Sequence, residues 1–110
     1  MTSCKEMFKD LNDIISIDFS NFDTSKVTEM TSMFYSCTVK SINFYNFNTS
    51  IVTDMSSMFA GSSQITSLDL SSFRTSNVKN MNYMFHYCIS LKEINLIILV
   101  IQHDKTYFPY

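Results

Sequence analysis

The side chains that could act as nucleophiles, metal ligands or acid–base catalysts are few in this chain of 110 residues. Its three cysteines are Cys4, Cys37 and Cys88, and no Cys-x-x-Cys pair occurs. The two histidines, His86 and His103, have no second histidine or cysteine at the spacing of metal ligands. No nucleophile and base lie together in a recognisable constellation. The sequence therefore predicts no metal site, no cofactor and no enzyme activity.

Composition excludes further classes of function. The single glycine, Gly61, rules out glycine-rich phosphate loops, which need several glycines in a short span. A formal net charge of −2 gives no basic surface for nucleic acid. The longest apolar run, residues 96–101, is far shorter than the roughly 20 residues of a membrane-spanning helix. We also expect no secretory signal, because residues 1–6 lead into no apolar run.

An internal repeat dominates the chain. The pair Met-Phe recurs at steps of 26, 25 and 26 residues, starting from Met7. A longer string of 13 residues occurs three times, with seven positions identical in all copies. It begins at Phe22, Phe47 and Phe73 and reads Phe-x-Thr-Ser-x-Val-x-x-Met-x-x-Met-Phe. The repeat from Met33 is one residue short before its next apolar segment, which indicates a loop that tolerates deletion.

Each repeat predicts one strand and one short helix. Alternation of apolar and polar residues at 16–20 and its counterparts predicts a strand with one buried face. Thr24 or Ser25 suits a helix N-cap. After it, Val27, Met30 and Met33 have the spacing of an apolar helical stripe. Gly61 suits the left-handed residue that ends a helix.

Such units bury their apolar faces only by stacking on their neighbours. The sequence therefore predicts an α/β fold: a short leucine-rich-repeat solenoid of about four strand–helix units of 25–26 residues, with a parallel sheet on the concave face. The units lie near 7–32, 33–57, 58–83 and 84–101, in a solenoid spanning residues 1–101. Residues 102–110 form a C-terminal tail or cap.

The stacked core is predicted to contain columns of like side chains. Phe22, Phe47 and Phe73 form an aromatic spine with Leu99 as a fourth rung, and a second column contains Thr24, Thr49, Thr75 and Ile101. The threonine hydroxyls are expected to bond to backbone groups of the turns. Cys37 and Cys88 share a column but lie two repeats apart, about 10 Å at strand spacing. That exceeds the reach of a disulfide, so the cysteines are predicted to be buried as small hydrophobic residues.

The string from Ile65 to Phe85 and its copies from near Ile14 and Val39 closely resemble the BspA-like leucine-rich repeat. This repeat is also known as the mycoplasma-type lipoprotein repeat of bacterial and protist surface proteins. The resemblance covers about residues 7–96. It implies a leucine-rich-repeat surface protein, located at the cell surface or outside the cell, that adheres to or binds other proteins. It defines no catalytic residues. We expect the chain to depart from the family pattern in three ways: no export signal, no anchor, and fewer repeats than such proteins usually contain.

The outward positions of the strands are the candidate binding residues, because concave faces of solenoids usually bind partners. They form three columns: Ser16, Ser41, Ser67 and Glu93; Asp18, Asn43, Asp69 and Asn95; Ser20, Tyr45, Ser71 and Ile97. Tyr45 is the one aromatic residue among them and a candidate hot spot. Asp18 and Asp69 are two repeats apart, too far for a retaining pair of carboxylates.

The sequence thus favours a non-enzymatic module that binds a protein or a glycan through its concave face. The alternative is a structural fragment of a larger repeat array, or a decayed gene, with no partner of its own. The uncharged, β-prone run at 96–101 departs from the repeat and is interpreted as a cap, or as an out-of-register end. An unpaired edge there would favour end-to-end self-association.

Overall fold

The computed structural model describes residues 1–95. Four short strands lie where the alternating pattern predicts them: β1 (Ser16–Asp18), β2 (Ser41–Asn43), β3 (Ser67–Asp69) and β4 (Glu93–Asn95). The middle residue of each strand packs against the core, and its two neighbours are exposed. Period-two alternation is therefore realised in all four repeats.

The strands form two small parallel sheets rather than the predicted single sheet. β1 pairs with β2, with Ile17 opposite Ile42. β3 pairs with β4, with Leu68 opposite Ile94. Within residues 1–95, β2 and β3 share no strand ladder. The predicted continuous concave sheet is therefore wrong.

The predicted helices are also wrong, because the described residues contain no helix. Instead, residues 24–27 form one turn and residues 30–37 form consecutive turns. The N–H of Val27 donates to the carbonyl of Thr24 at 3.0 Å, and that of Met33 donates to Met30 at 3.3 Å, each bond spanning three residues. Thr24 is thus a turn residue and not a helix N-cap. The protein is not a strand–helix solenoid.

Two left-handed residues in each repeat explain why a helix cannot form. Ser32 and Ser36 have φ values of 54° and 52°, and a left-handed residue ends a right-handed helix. The same two positions are left-handed in the other repeats: Glu6 and Asp10, Ser57 and Gly61, Tyr83 and Tyr87. Ser32 is the third residue of the turn that Met33 closes on Met30, where type II turns require positive φ. Gly61, with φ of 73°, is left-handed as predicted, but it lies in a turn.

The backbone donors that a helix would use are committed to the next repeat. N–H groups of every second residue, Met30, Ser32, Phe34 and Ser36, donate to the carbonyls of Asp54, Ser56, Met58 and Ala60 at 2.8–2.9 Å. The same four-bond pattern joins the first repeat to the second and the third to the fourth. We call residues 3–10, 29–36, 54–61 and 80–87 the turn column. It stacks the four repeats in parallel, with isolated bridges at Ser3, Glu29, Asp54 and Asn80.

The core lies between the turn column and the strands. Phe8, Phe34, Phe59 and Phe85 stack nearly parallel, with centroid separations of 5.5, 5.3 and 5.8 Å. Of the predicted spine, Phe47 and Phe73 stack at 5.6 Å. Phe22 is only partly buried and packs on Phe19 at 5.6 Å. Burial of the repeated methionines and phenylalanines from residue 30 onward confirms that they form the core.

Threonine hydroxyls link neighbouring repeats as predicted. Thr24 Oγ1 donates to the carbonyl of Asn48 at 2.9 Å and accepts from the N–H of Asn48 at 2.8 Å. Thr49 Oγ1 makes the same pair of bonds with Arg74, at 2.9 and 2.8 Å. Both threonines are 1 % exposed. Each hydroxyl therefore satisfies two backbone groups next to the core.

No helix in residues 1–95 is long and apolar enough to cross a bilayer. Several predictions concern residues outside the described range and stay predictions. They are the strand position Ile97, the rungs Leu99 and Ile101, His103, the apolar run 96–101 and the tail 102–110.

Candidate functional site

The predicted binding residues lie on the outward face of the strands. Ser16 is opposite Ser41 and Asp18 opposite Asn43 in the first sheet. In the second sheet Ser67 is opposite Glu93 and Asp69 opposite Asn95. These eight side chains are exposed. Of those that follow the strands, Tyr45 is exposed, whereas Ser20 and Ser71 are half-buried. We call these described residues the strand face.

A carboxylate or amide at the end of each of the first three strands holds the turn that follows it. Asp18 Oδ1 accepts the N–H of Ser20 at 2.9 Å, and Asn43 Oδ1 accepts the N–H of Tyr45 at 2.9 Å. Asp69 Oδ1 accepts the N–H of Ser71 at 3.0 Å. Aspartate and asparagine favour such turns because their short side chains reach the backbone two residues on. The orientation of the chain after each strand is thereby restricted.

Hydrogen bonds also set the charge of the strand face. The backbone N–H and the hydroxyl of Ser20 lower the pKa of Asp18, and the amide of Asn43 adds to the effect. The hydroxyl and the backbone N–H of Ser71 lower the pKa of Asp69. Both carboxylates are therefore ionised at neutral pH. They suit hydrogen-bond acceptance from a partner, not proton donation as a general acid.

Four of the predicted residues meet where the two sheets separate. A cavity of about 160 Å³ between β2 and β3 is lined by Ile42, Asn43, Phe44, Tyr45, Asp69, Ser71 and Ser72. We call it the β2–β3 cleft. The side chain of Tyr45 is 69 % exposed at this cleft. Ser72 Oγ donates to the carbonyl of Phe44 at 3.1 Å and so connects the two walls.

The other candidates do not converge on this cleft. Ser67, Asp69, Glu93 and Asn95 line a second depression of about 230 Å³ together with Leu68. Ser16, Asp18, Ser20 and Ser41 line neither cavity. Asp69 is the residue common to both depressions. Both depressions of the strand face therefore lie between β2 and β4.

Sequence reasoning missed a larger groove in the loops that precede the strands. Its volume is about 710 Å³, and it is lined by Asn12, Asp13, Ile14, Ile15, Thr38, Lys40 and Gln64. The N–H of Asp13 donates to Thr38 Oγ1 at 3.1 Å, and that of Lys40 donates to the carbonyl of Ile15 at 2.9 Å. Ile15 is 72 % exposed and stands where the other repeats have Lys40, Thr66 and Lys92. An apolar residue at a position that is polar in the other repeats was the sequence signal that could have indicated this groove.

The cysteines are free and buried, as predicted. Burial raises the pKa of all three thiols, to about 12 for Cys88. Cys88 Sγ donates to the carbonyl of Phe59 at 3.0 Å, and Ser62 Oγ makes the equivalent bond to Phe34 at 2.6 Å. These thiols are therefore protonated at neutral pH and poor nucleophiles.

His86 contacts the rings of Tyr83 and Tyr87, with centroid distances of 5.3 and 4.1 Å. In the part of the chain that the structure describes, no three histidine, cysteine, aspartate or glutamate side chains are grouped so that they could hold a metal ion.

The chain matches a known protein family. Residues 2–99 match the model of the family described as "Mycoplasma protein of unknown function, DUF285". No curated protein and no solved structure matches the chain. The predicted resemblance to a mycoplasma-type repeat is thereby confirmed, whereas the BspA-like leucine-rich-repeat assignment is not supported by the match.

Proposed function

We propose that this chain, which belongs to the DUF285 family, is a non-enzymatic binding module. The module binds another protein or a glycan through the strand face and acts in adhesion or protein–protein interaction. We place its main contact at the β2–β3 cleft.

The observation that carries this proposal is the meeting of Asn43, Tyr45, Asp69 and Ser71 around one cavity. A tyrosine offers a flat ring for apolar contact and a hydroxyl for a hydrogen bond, and such residues are frequent hot spots. Asn43 and Asp69 add acceptors beside the ring. This combination suits a peptide or a hydroxyl-rich sugar.

The cleft also has walls that are ordered before any ligand arrives. The N–H of Tyr45 is held by Asn43 and the N–H of Ser71 by Asp69. Phe44 and Leu70, which precede Tyr45 and Ser71, are at most 4 % exposed. Binding to a preorganised surface loses less conformational entropy. We therefore expect the bound backbone to differ little from this one.

The proposal that the chain is not an enzyme has support from the charges on the strand face. Hydrogen bonds lower the pKa of Asp18 and Asp69. A general acid at neutral pH needs the opposite shift. Carboxylates in this state suit recognition of hydroxyl, amide or cationic groups.

The proposed location is the cell surface or the extracellular space, in line with the resemblance to surface-protein repeats. Labelling intact producing cells with a membrane-impermeant amine reagent tests it. We expect this protein to be labelled on intact cells as strongly as after lysis. Labelling only after lysis would contradict the proposed location.

Binding itself is tested with the double variant Tyr45→Ala/Asp69→Ala. We expect it to lose adhesion to cell surfaces, or to immobilised glycans, while its circular dichroism stays unchanged. The matched control is Tyr87→Ala/Asp23→Ala. Tyr87 is 66 % exposed, and Asp23 binds the N–H of Ser25 as Asp69 binds that of Ser71. Equal adhesion by all three proteins, or equal loss in both variants, would remove the cleft from the proposal.

A further inference from the structure

In the described residues, the first repeat, at the N-terminal end of the turn column, has a row of backbone carbonyls that accept no hydrogen bond. Within residues 1–95, the carbonyls of Ser3, Lys5, Met7 and Lys9 accept no hydrogen bond. Their counterparts one repeat on all accept an N–H from the preceding repeat, at 2.8–3.0 Å: Glu29, Thr31, Met33 and Tyr35. The free carbonyls of this end therefore have the same spacing as the carbonyls that accept hydrogen bonds at every internal junction.

The side chains at this end are incompletely covered in the same way. Met7 is 38 % exposed, whereas Met33 and Met58 are fully buried. Phe8 is partly buried and stacks on Phe34 with one face of its ring, at 5.5 Å. Phe22 is likewise partly buried, although the equivalent Phe47 is 2 % exposed. The end thus leaves a methionine and two aromatic rings open to a further layer.

A third feature of the end is the backbone of Asp23. Its counterpart Asn48 has both its N–H and its carbonyl bound by the hydroxyl of Thr24. In the described residues, the N–H and carbonyl of Asp23 have no such hydroxyl. A threonine placed like Thr24 would satisfy both groups at once.

We propose that this end is a docking surface for one further unit of the same repeat. The occupant has to bring N–H donors on alternate residues, a threonine hydroxyl at Asp23, and phenylalanine rings for Phe8 and Phe22. The string of residues 22–34 brings all of these, as the internal junctions demonstrate. This contact is heterologous, so it extends the stack instead of closing a symmetric dimer. It lies apart from the strand face and does not depend on the proposed function.

The test titrates the isotope-labelled full chain with a synthetic peptide that has the sequence of residues 20–46. We expect saturable NMR shift changes at Ser3, Lys5, Met7, Phe8 and Asp23. The control peptide carries N-methyl groups at the positions of Met30, Ser32 and Phe34, which removes three donors. Each net hydrogen bond is worth about 0.5–1.5 kcal/mol, so we expect an affinity at least about tenfold lower.

Two protein variants locate the contact. Phe8→Ala should lower the affinity for the peptide about tenfold or more, through loss of a central ring. Because Phe8 also packs on Phe34, Met7→Lys is the second variant. It places a charge at an exposed position of the same end and should block binding with an unchanged melting temperature.

The variant Tyr45→Ala/Asp69→Ala should bind the peptide as the parent does, which separates this inference from the proposed function. No binding at millimolar peptide would overturn it. So would equal affinity for the N-methylated peptide, or shift changes confined to the β2–β3 cleft.

Discussion

The turn column and the strand face are built from the same repeats, yet they differ in continuity. The turn column carries four inter-repeat backbone bonds at each of its junctions. The strands pair only within β1–β2 and within β3–β4. The interruption falls between β2 and β3.

This difference indicates a division of labour between the two sides. The turn column commits its N–H groups and its phenylalanine rings to stacking, so little of it can change without loss of the core. The strand face contributes fewer bonds to stacking, and its outward side chains are exposed. A break between strands there leaves a cleft without interrupting the core behind it.

The largest expected effect comes from Phe59→Ala in the turn column. The ring of Phe59 is buried between Phe34 and Phe85, at 5.3 and 5.8 Å. Removal of a buried phenylalanine costs about 3–5 kcal/mol of unfolding free energy. Urea unfolding measures this, with Tyr45→Ala on the strand face as the control, expected within about 0.5 kcal/mol of the parent. Similar losses of unfolding free energy in the two variants would contradict the division of labour between the turn column and the strand face.

A smaller effect is expected from Thr49→Val, which keeps the shape of the side chain but removes its hydroxyl. The N–H and carbonyl of Arg74 would lose their partner next to the core. Unsatisfied groups of this kind cost about 1–3 kcal/mol. Thermal unfolding should report the loss, and the exposed Thr66→Val serves as the control. A melting temperature equal to that of the parent would show that the threonine ladder does not hold the repeats together.

Gly61→Ala probes the left-handed positions of the turn column. Gly61 has φ of 73°, and an added Cβ would lie 2.9 Å from Ser36 Oγ. We expect a loss of about 1–2 kcal/mol from the left-handed conformation. Chemical denaturation of Gly61→Ala with and without Ser36→Ala separates the two causes. If the second change restores full stability, the clash and not the backbone conformation limits this position.

The smallest effect at neutral pH concerns Cys88, and it grows at alkaline pH. Burial raises the pKa of this thiol to about 12, from 9.0. The folded state therefore holds the proton more tightly, and this contribution is complete below pH 9 and is lost as pH rises towards 12. Between pH 8 and 10 the loss should be about 1 kcal/mol. Unfolding of Cys88→Ser across this range should lack the component, and an unchanged pH profile would contradict the assignment.

Much of the core and the strands could be predicted from the sequence. Ile17, Ile42, Leu68 and Ile94 were assigned to strands because alternation has few other causes, and the structure places them so. Thr24 and Thr49 were correctly assigned to backbone bonds of the turns. When repeats stack in register, each side chain lies next to the equivalent side chain of the neighbouring repeat. Its partner can therefore be predicted from the repeat.

The helices were predicted wrongly because two structures share one spacing. Val27, Met30 and Met33 recur every third residue, which suits an apolar helical face and equally suits turns whose hydrogen bonds span three residues. The left-handed residues that decide between them include Ser32, Ser57 and Tyr83, which are not glycines. Their residue types did not indicate a left-handed conformation. The β2–β3 cleft was missed because the separation of strands depends on hydrogen bonds between repeats, which a single repeat does not specify.

The sequence by itself determined the period, the side chains that point inward and the polar columns that point outward, because these follow from local alternation and repetition. The tertiary structure decided how each N–H group is used. Once every second donor of the turn column bonds to the next repeat, the continuous hydrogen-bond ladder of a helix cannot form. The tertiary structure also decided that β2 and β3 do not pair, and so where Asn43, Tyr45 and Asp69 meet.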